Sequence, residues 1–102
     1  MGNLIKVANK NELPTGSAKA VEVDGKRIAL FHANNQYFAI DDECTHAGGS
    51  LAEGTVEGTT VTCPWHGAQF DITTGSVLSA PAFDGVKSYK VQVDGDEIKI
   101  AV

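Results

Sequence analysis

Long hydrophobic runs are missing from this 102-residue chain, and the longest in its interior is only Ile28-Ala29-Leu30-Phe31. A helix needs roughly 20 apolar residues to cross a bilayer, so no membrane span is expected. Basic residues are also scarce: eight Lys and Arg stand against thirteen Asp and Glu, a formal net charge of -5. Nucleic acid needs a basic surface and is excluded as an expected partner; a protein with a basic face fits better. There are only two cysteines. Both fall in clusters of metal-ligand type, which leaves none for a stabilising disulfide and suits a reducing compartment. The start, Met1-Gly2-Asn3-Leu4-Ile5-Lys6, shows no basic region followed by an apolar stretch, and Lys6 stands where a myristoylation signal would have Ser or Thr. The expected location is cytoplasmic.

Helical periodicity is the next absence. No window sustains it, although Lys10 to Leu13 could form one turn. With 42% hydrophobic and 21% charged residues the chain is nevertheless of ordinary globular composition, so disorder and fibrous structure are excluded. What is present is an all-β rhythm of short strands and turn signals. Ala18 to Val23 and Lys26 to His32 flank Asp24-Gly25, and Asn34-Asn35 leads into Gln36 to Ile40, which together predict an antiparallel meander. Asp94-Gly95 joins Lys87 to Val93 with Glu97 to Ala101, and Leu4 to Val7 reads as another strand. Between Asp41 and about Pro81 the strands shorten, as in Thr60 to Cys63 and Gln69 to Asp71. The expectation is a single domain, 1–102: an antiparallel β-sandwich or barrel scaffold carrying a small inserted β-subdomain at approximately 41–81.

That insert holds Cys44-Thr45-His46 and Cys63-Pro64-Trp65-His66, separated by the sixteen residues 47 to 62. Two Cys and two His form a possible tetrahedral zinc set, but zinc motifs usually pair like with like. Here each loop brings one thiolate and one imidazole. That mixture suits a centre with two distinguishable metals, where each loop supplies one ligand of each kind.

The pattern Cys-x-His, sixteen residues, Cys-x-x-His resembles that of Rieske 2Fe-2S proteins. The continuation Cys63-Pro64-Trp65-His66-Gly67-Ala68-Gln69-Phe70 is similar to soluble Rieske ferredoxins of multicomponent ring-hydroxylating dioxygenases. The resemblance implies a Rieske fold and one 2Fe-2S cluster, with Cys44 and Cys63 on the inner iron and His46 and His66 on the outer one. It implies an electron carrier without catalysis of its own, taking single electrons from a flavin-dependent reductase to a terminal oxygenase in aromatic hydrocarbon catabolism. Other redox systems, such as a nitrite reductase or a cytochrome P450 chain, and a zinc-stabilised interaction module are the alternatives.

Rieske proteins of respiratory chains carry an extra cysteine in each loop and Ser and Tyr hydroxyls that donate to the cluster sulfurs. The corresponding positions here look like Gly49, Trp65, Ala68 and Phe70. Fewer donors leave an added electron less stabilised, so the potential is expected near the low end of the Rieske range, around -150 mV. Trp65 is expected to shield the cluster, Gly48, Gly49 and Gly67 to let the loops turn tightly, and the Pro81 segment to cover the cluster as a third loop. Asp41, Asp42 and Glu43 read as a solvated turn or as an acidic docking rim. His32 is expected to be structural. With His46 and His66 committed, too few histidines remain for a 2-His-1-carboxylate oxygen-activating iron.

Overall fold

The run Ile28-Ala29-Leu30-Phe31 lies at the centre of the molecule, and all four residues are fully buried. The structure is a computed structural model and describes residues 4–23, 25–33, 35–42, 50–64, 67–79 and 85–101. Its strands in chain order are β1 Leu4–Asn9, β2 Ala18–Val23, β3 Lys26–Ala33, β4 Gln36–Asp41, β5 Thr55–Glu57, β6 Thr60–Thr62, β7 Gln69–Asp71, β8 Val77–Ser79, β9 Ser88–Tyr89, β10 Val91–Asp94 and β11 Glu97–Ala101. Single 3-10 turns occupy Lys10–Glu12 and Leu51–Glu53. Among the described residues no helix is long and apolar enough to cross a membrane.

The strands form three antiparallel sheets with orders β1-β11-β10, β2-β3-β4-β9 and β5-β6-β7-β8. The middle sheet is covered on both faces, and β3 shows why a continuous apolar run can be a strand. Alternation sends Ile28 and Leu30 to one side, where they meet Ala39, Ile98 and Ile100. Ala29, Phe31 and Ala33 point to the other side, against Leu51, Val61, Cys63, Phe70 and Ile72. The expected meander is β2-β3-β4, with register Val23↔Lys26 and Ala33↔Gln36 across its two turns.

Two features depart from the sequence expectation. Lys87 to Val93 is not one strand: Ser88–Tyr89 pairs with β4, and after Lys90 the chain passes to β11. One segment thereby edges two sheets. The final hairpin turns on Gly95-Asp96, since Asp94 is opposite Glu97, and a positive φ of 60° at Gly95 suits a II′ turn, where glycine takes the first central position.

Candidate metal centre

Cys63 follows directly on β6, an inner strand of the third sheet. The Cys63 amide donates to the Ala68 carbonyl at 2.7 Å, and the Gly67 amide donates to the Cys63 carbonyl at 3.2 Å. These bonds close a short turn, and Gly67 holds a φ of +78° there, the left-handed region that a Cβ disfavours. Gly67 therefore has the expected backbone role. Cys63 is 2% exposed and belongs to the apolar cluster of Val61, Ala68 and Phe70. Phe70 is a core residue, fully buried beneath the turn. Trp65 and His66 lie outside the described residues.

Glu43, Cys44, His46, Gly48 and Gly49 also lie outside them, but the frame of that segment is described. Asp42, which precedes it, is 2% exposed. Its carboxylate accepts the Ser50 hydroxyl at 2.8 and 2.9 Å and the Ala52 amide at 2.9 Å, and it pairs with Arg27 at 3.2 Å. Its carbonyl accepts the Leu51 amide at 2.7 Å. Both ends of segment 43–49 thus meet at one residue. The returning end is seated on β6: Leu51 is buried in the same cluster as Cys63, and Gly54 approaches the Thr62 carbonyl so closely that a Cβ could not fit. For Asp42, the solvated-turn and docking-rim readings are corrected. A carboxylate at a strand end, facing several donors, is drawn inward to satisfy them.

Asp41 faces the other way. It accepts the Tyr89 hydroxyl at 2.6 Å and the Lys87 amide at 3.3 Å, while its own amide donates to the Lys87 carbonyl at 2.9 Å. Burial, followed by the hydrogen bond to Asp41, pushes the Tyr89 hydroxyl up to about 12. These contacts fix the chain just after segment 80–84, which includes Pro81 and lies outside the described residues. That segment leaves from Ser79, opposite Gln69 beside the Cys63 turn. It returns at Gly85, whose neighbour Val86 donates to the Gly75 carbonyl at 2.7 Å. Segment 80–84 therefore leaves beside the Cys63 turn, and the returning end of 43–49 packs in the same cluster as Cys63.

Of the four expected ligands, Cys63 alone lies among the described residues, so the sequence still carries the full set. Among the described residues no group of three or more His, Cys, Asp or Glu could hold a metal. His32 is occupied elsewhere, with Nδ1 at 2.8 Å from the Leu13 carbonyl and its ring stacked on Tyr37 at 4.2 Å. The structural role expected for it holds. Cys63 sits where its sulfur can serve as a metal ligand: buried, at the mouth of a tight turn and backed by apolar side chains, a setting in which a bound cation would offset a thiolate's charge. Two thiols and two imidazoles are also the donor set of a Rieske centre.

Comparison with known proteins agrees. Residues 3–90 match the family described as the Rieske [2Fe-2S] domain. The 3-phenylpropionate/cinnamic acid dioxygenase ferredoxin subunit of Photorhabdus laumondii subsp. laumondii is 44% identical over 97 residues, covering 94% of this chain and 91% of that one. The ferredoxin of carbazole 1,9a-dioxygenase from Nocardioides aromaticivorans IC177 superposes with a TM-score of 0.93 at 32% identity, covering 97% of both chains. A structure of the complex of reduced oxygenase and oxidised ferredoxin in carbazole 1,9a-dioxygenase matches at a TM-score of 0.90 and 31% identity, covering 96% of this chain and 92% of that one. Likeness over nearly the full length removes the zinc alternative: the chain belongs to the Rieske [2Fe-2S] domain family, and its cofactor is one 2Fe-2S cluster.

Proposed function

We propose that this protein is a one-electron carrier of an aromatic-ring dioxygenase system, with a flavin-dependent reductase as its donor and a terminal oxygenase as its acceptor. Cys44 and Cys63 hold one iron and His46 and His66 the other. When bound, the cluster supplies a site that takes up and returns a single electron. The chain positions the ligands, keeps water from the thiolate side and presents the imidazole side to partners. It is not itself an oxygenase. His32 is engaged by Leu13 and Tyr37, so no second histidine pair is available for an oxygen-activating iron. The assignment of residues 41–81 as the cluster-binding part of a single domain, and a cytoplasmic location, belong to the same proposal.

The observation that carries this reading is the Cys63 turn, seated on apolar core with Leu51, at the returning end of 43–49, in the same cluster and the start of 80–84 beside it. Support for the partner class comes from the ferredoxin names of the relatives and from the oxygenase–ferredoxin complex. Ala68 and Phe70 are fully buried against Cys63 and carry no hydroxyl, which favours a potential near the low end of the Rieske range, around -150 mV. The test is a redox titration of the loaded protein followed by turnover with a reductase and an oxygenase of this class. Expected are a negative midpoint, bleaching by the reductase and re-oxidation by the oxygenase. A clearly positive midpoint, or a carrier that neither partner recognises, would sink the proposal.

A further inference from the structure

We propose that Asp41 and Asp42 act as a back-to-back pair of positioning residues at the end of a single strand, Asp42 closing the ligand-bearing segment 43–49 and Asp41 anchoring the chain that follows segment 80–84. The inference rests on Cys44 and His46 being ligands. Adjacent residues of a strand point to opposite faces, and Asp41, the last residue of β4, and Asp42, the next, follow that rule. Asp42 lies on the Ile40 side and gathers Ser50 and Ala52, which close segment 43–49. Asp41 lies on the Ala39 side and gathers Lys87 and Tyr89, which follow segment 80–84.

Asp42 is the one buried charged or polar residue among those described. A buried carboxylate is a poor source of net stability, because desolvation offsets much of what its partners return. Its advantage is directional: one rigid group accepts several donors at fixed angles and ties both ends of a segment to one point. That shared point fixes where the segment leaves the sheet and where it returns. Asp41 does the same for the neighbouring segment through an independent set of donors. The two ties share a backbone, so displacement of either is felt at the other.

The loaded protein tests this with the variants Asp42→Asn, Ser50→Ala, Asp41→Asn and Tyr89→Phe. Ile100→Val serves as control, since Ile100 is buried in the opposite core. Readouts are iron release to a ferrous chelator, the electron paramagnetic resonance line shape of the reduced protein, and the melting temperature. Weakening of groups that orient ligands typically costs 10-fold or more, so Asp42→Asn should speed release about ten-fold and broaden the line shape. Smaller effects in the same direction are expected from Ser50→Ala, Asp41→Asn and Tyr89→Phe, whereas Ile100→Val should lower the melting temperature with release and line shape unchanged. If Asp42→Asn does not yield loaded protein, Ser50→Ala, which removes one donor only, carries the test. Release and line shapes that match the parent, or that merely follow melting temperature as in Ile100→Val, would overturn the proposal. Cys44→Ser separates it from the ligand assignment: a Rieske spectrum that survives this change refutes that assignment, whatever Asp42→Asn does.

Discussion

At the scale of single residues, hydrogen bonds and backbone approaches around the site make separable predictions. Tyr89 donates to Asp41, and its hydroxyl is raised from 10.0 to about 12. A group whose pKa is higher in the folded state adds stability below its unfolded value and loses it as pH rises through the folded value. The melting temperature should therefore fall between about pH 10 and 12, as tyrosinate absorbance rises late for this side chain. Asp41→Asn should bring that absorbance step to lower pH, and an unmoved step would disconnect Tyr89 from Asp41. Gly54 makes a second case. Its φ is ordinary, so the objection to Gly54→Ala is steric: the new methyl meets the Thr62 carbonyl. Overpacking of this kind costs about 1–3 kcal/mol, to be read from the denaturation midpoint. Because Thr62 precedes Cys63, cluster retention should suffer as well.

At the scale of elements, β3 separates two cores, and adjacent side chains belong to different ones. Phe31→Ala removes a ring packed in the cluster that contains Cys63, whereas Leu30→Ala opens a cavity on the opposite face. Each should cost roughly 2–5 kcal/mol in denaturation. Only Phe31→Ala should also hasten cluster loss at temperatures where both variants remain folded. Much of this architecture was legible in the sequence because its signals are local. Asp24-Gly25 marks a hairpin, alternation marks β11, and the mixed Cys/His loops mark the metal. The rest depends on contacts between residues distant in sequence. Thr55–Glu57 and Val77–Ser79 are strands by virtue of pairing with β6 and β7, and three residues are too few to declare a period. The break at Lys90 is imposed by two sheets competing for one segment. Asp42 reads as a surface residue beside Asp41 and Glu43, and its burial arises from Ser50, Ala52 and Arg27. Of the site, the tight turn at Gly67 was legible and is observed, while Cys44, His46 and His66 fall outside the described residues.

For the whole molecule, the net charge of -5 favours a partner with a basic face. Raising ionic strength should slow electron transfer to the proposed oxygenase partner, since the screening length shortens to about 8 Å at 0.15 M and further above it. Asp42 is buried and paired with Arg27, so Asp42→Asn should leave the slope of that salt dependence nearly unchanged. A flattened slope would place Asp42 at the docking surface after all. The placement of Asp41 and Asp42 on opposite faces also bears on how the chain finds its fold. A strand that slips by one position along its neighbour exchanges its two faces. A slip of β4 against β3 would turn Asp42 toward Tyr89 and leave Asp41 to face the donors of Ser50 and Ala52 from the wrong position, while Ile40 and Ala39 traded cores. Two neighbouring acids with unlike partners thus penalise a misaligned hairpin, since in the slipped register neither meets its own donors.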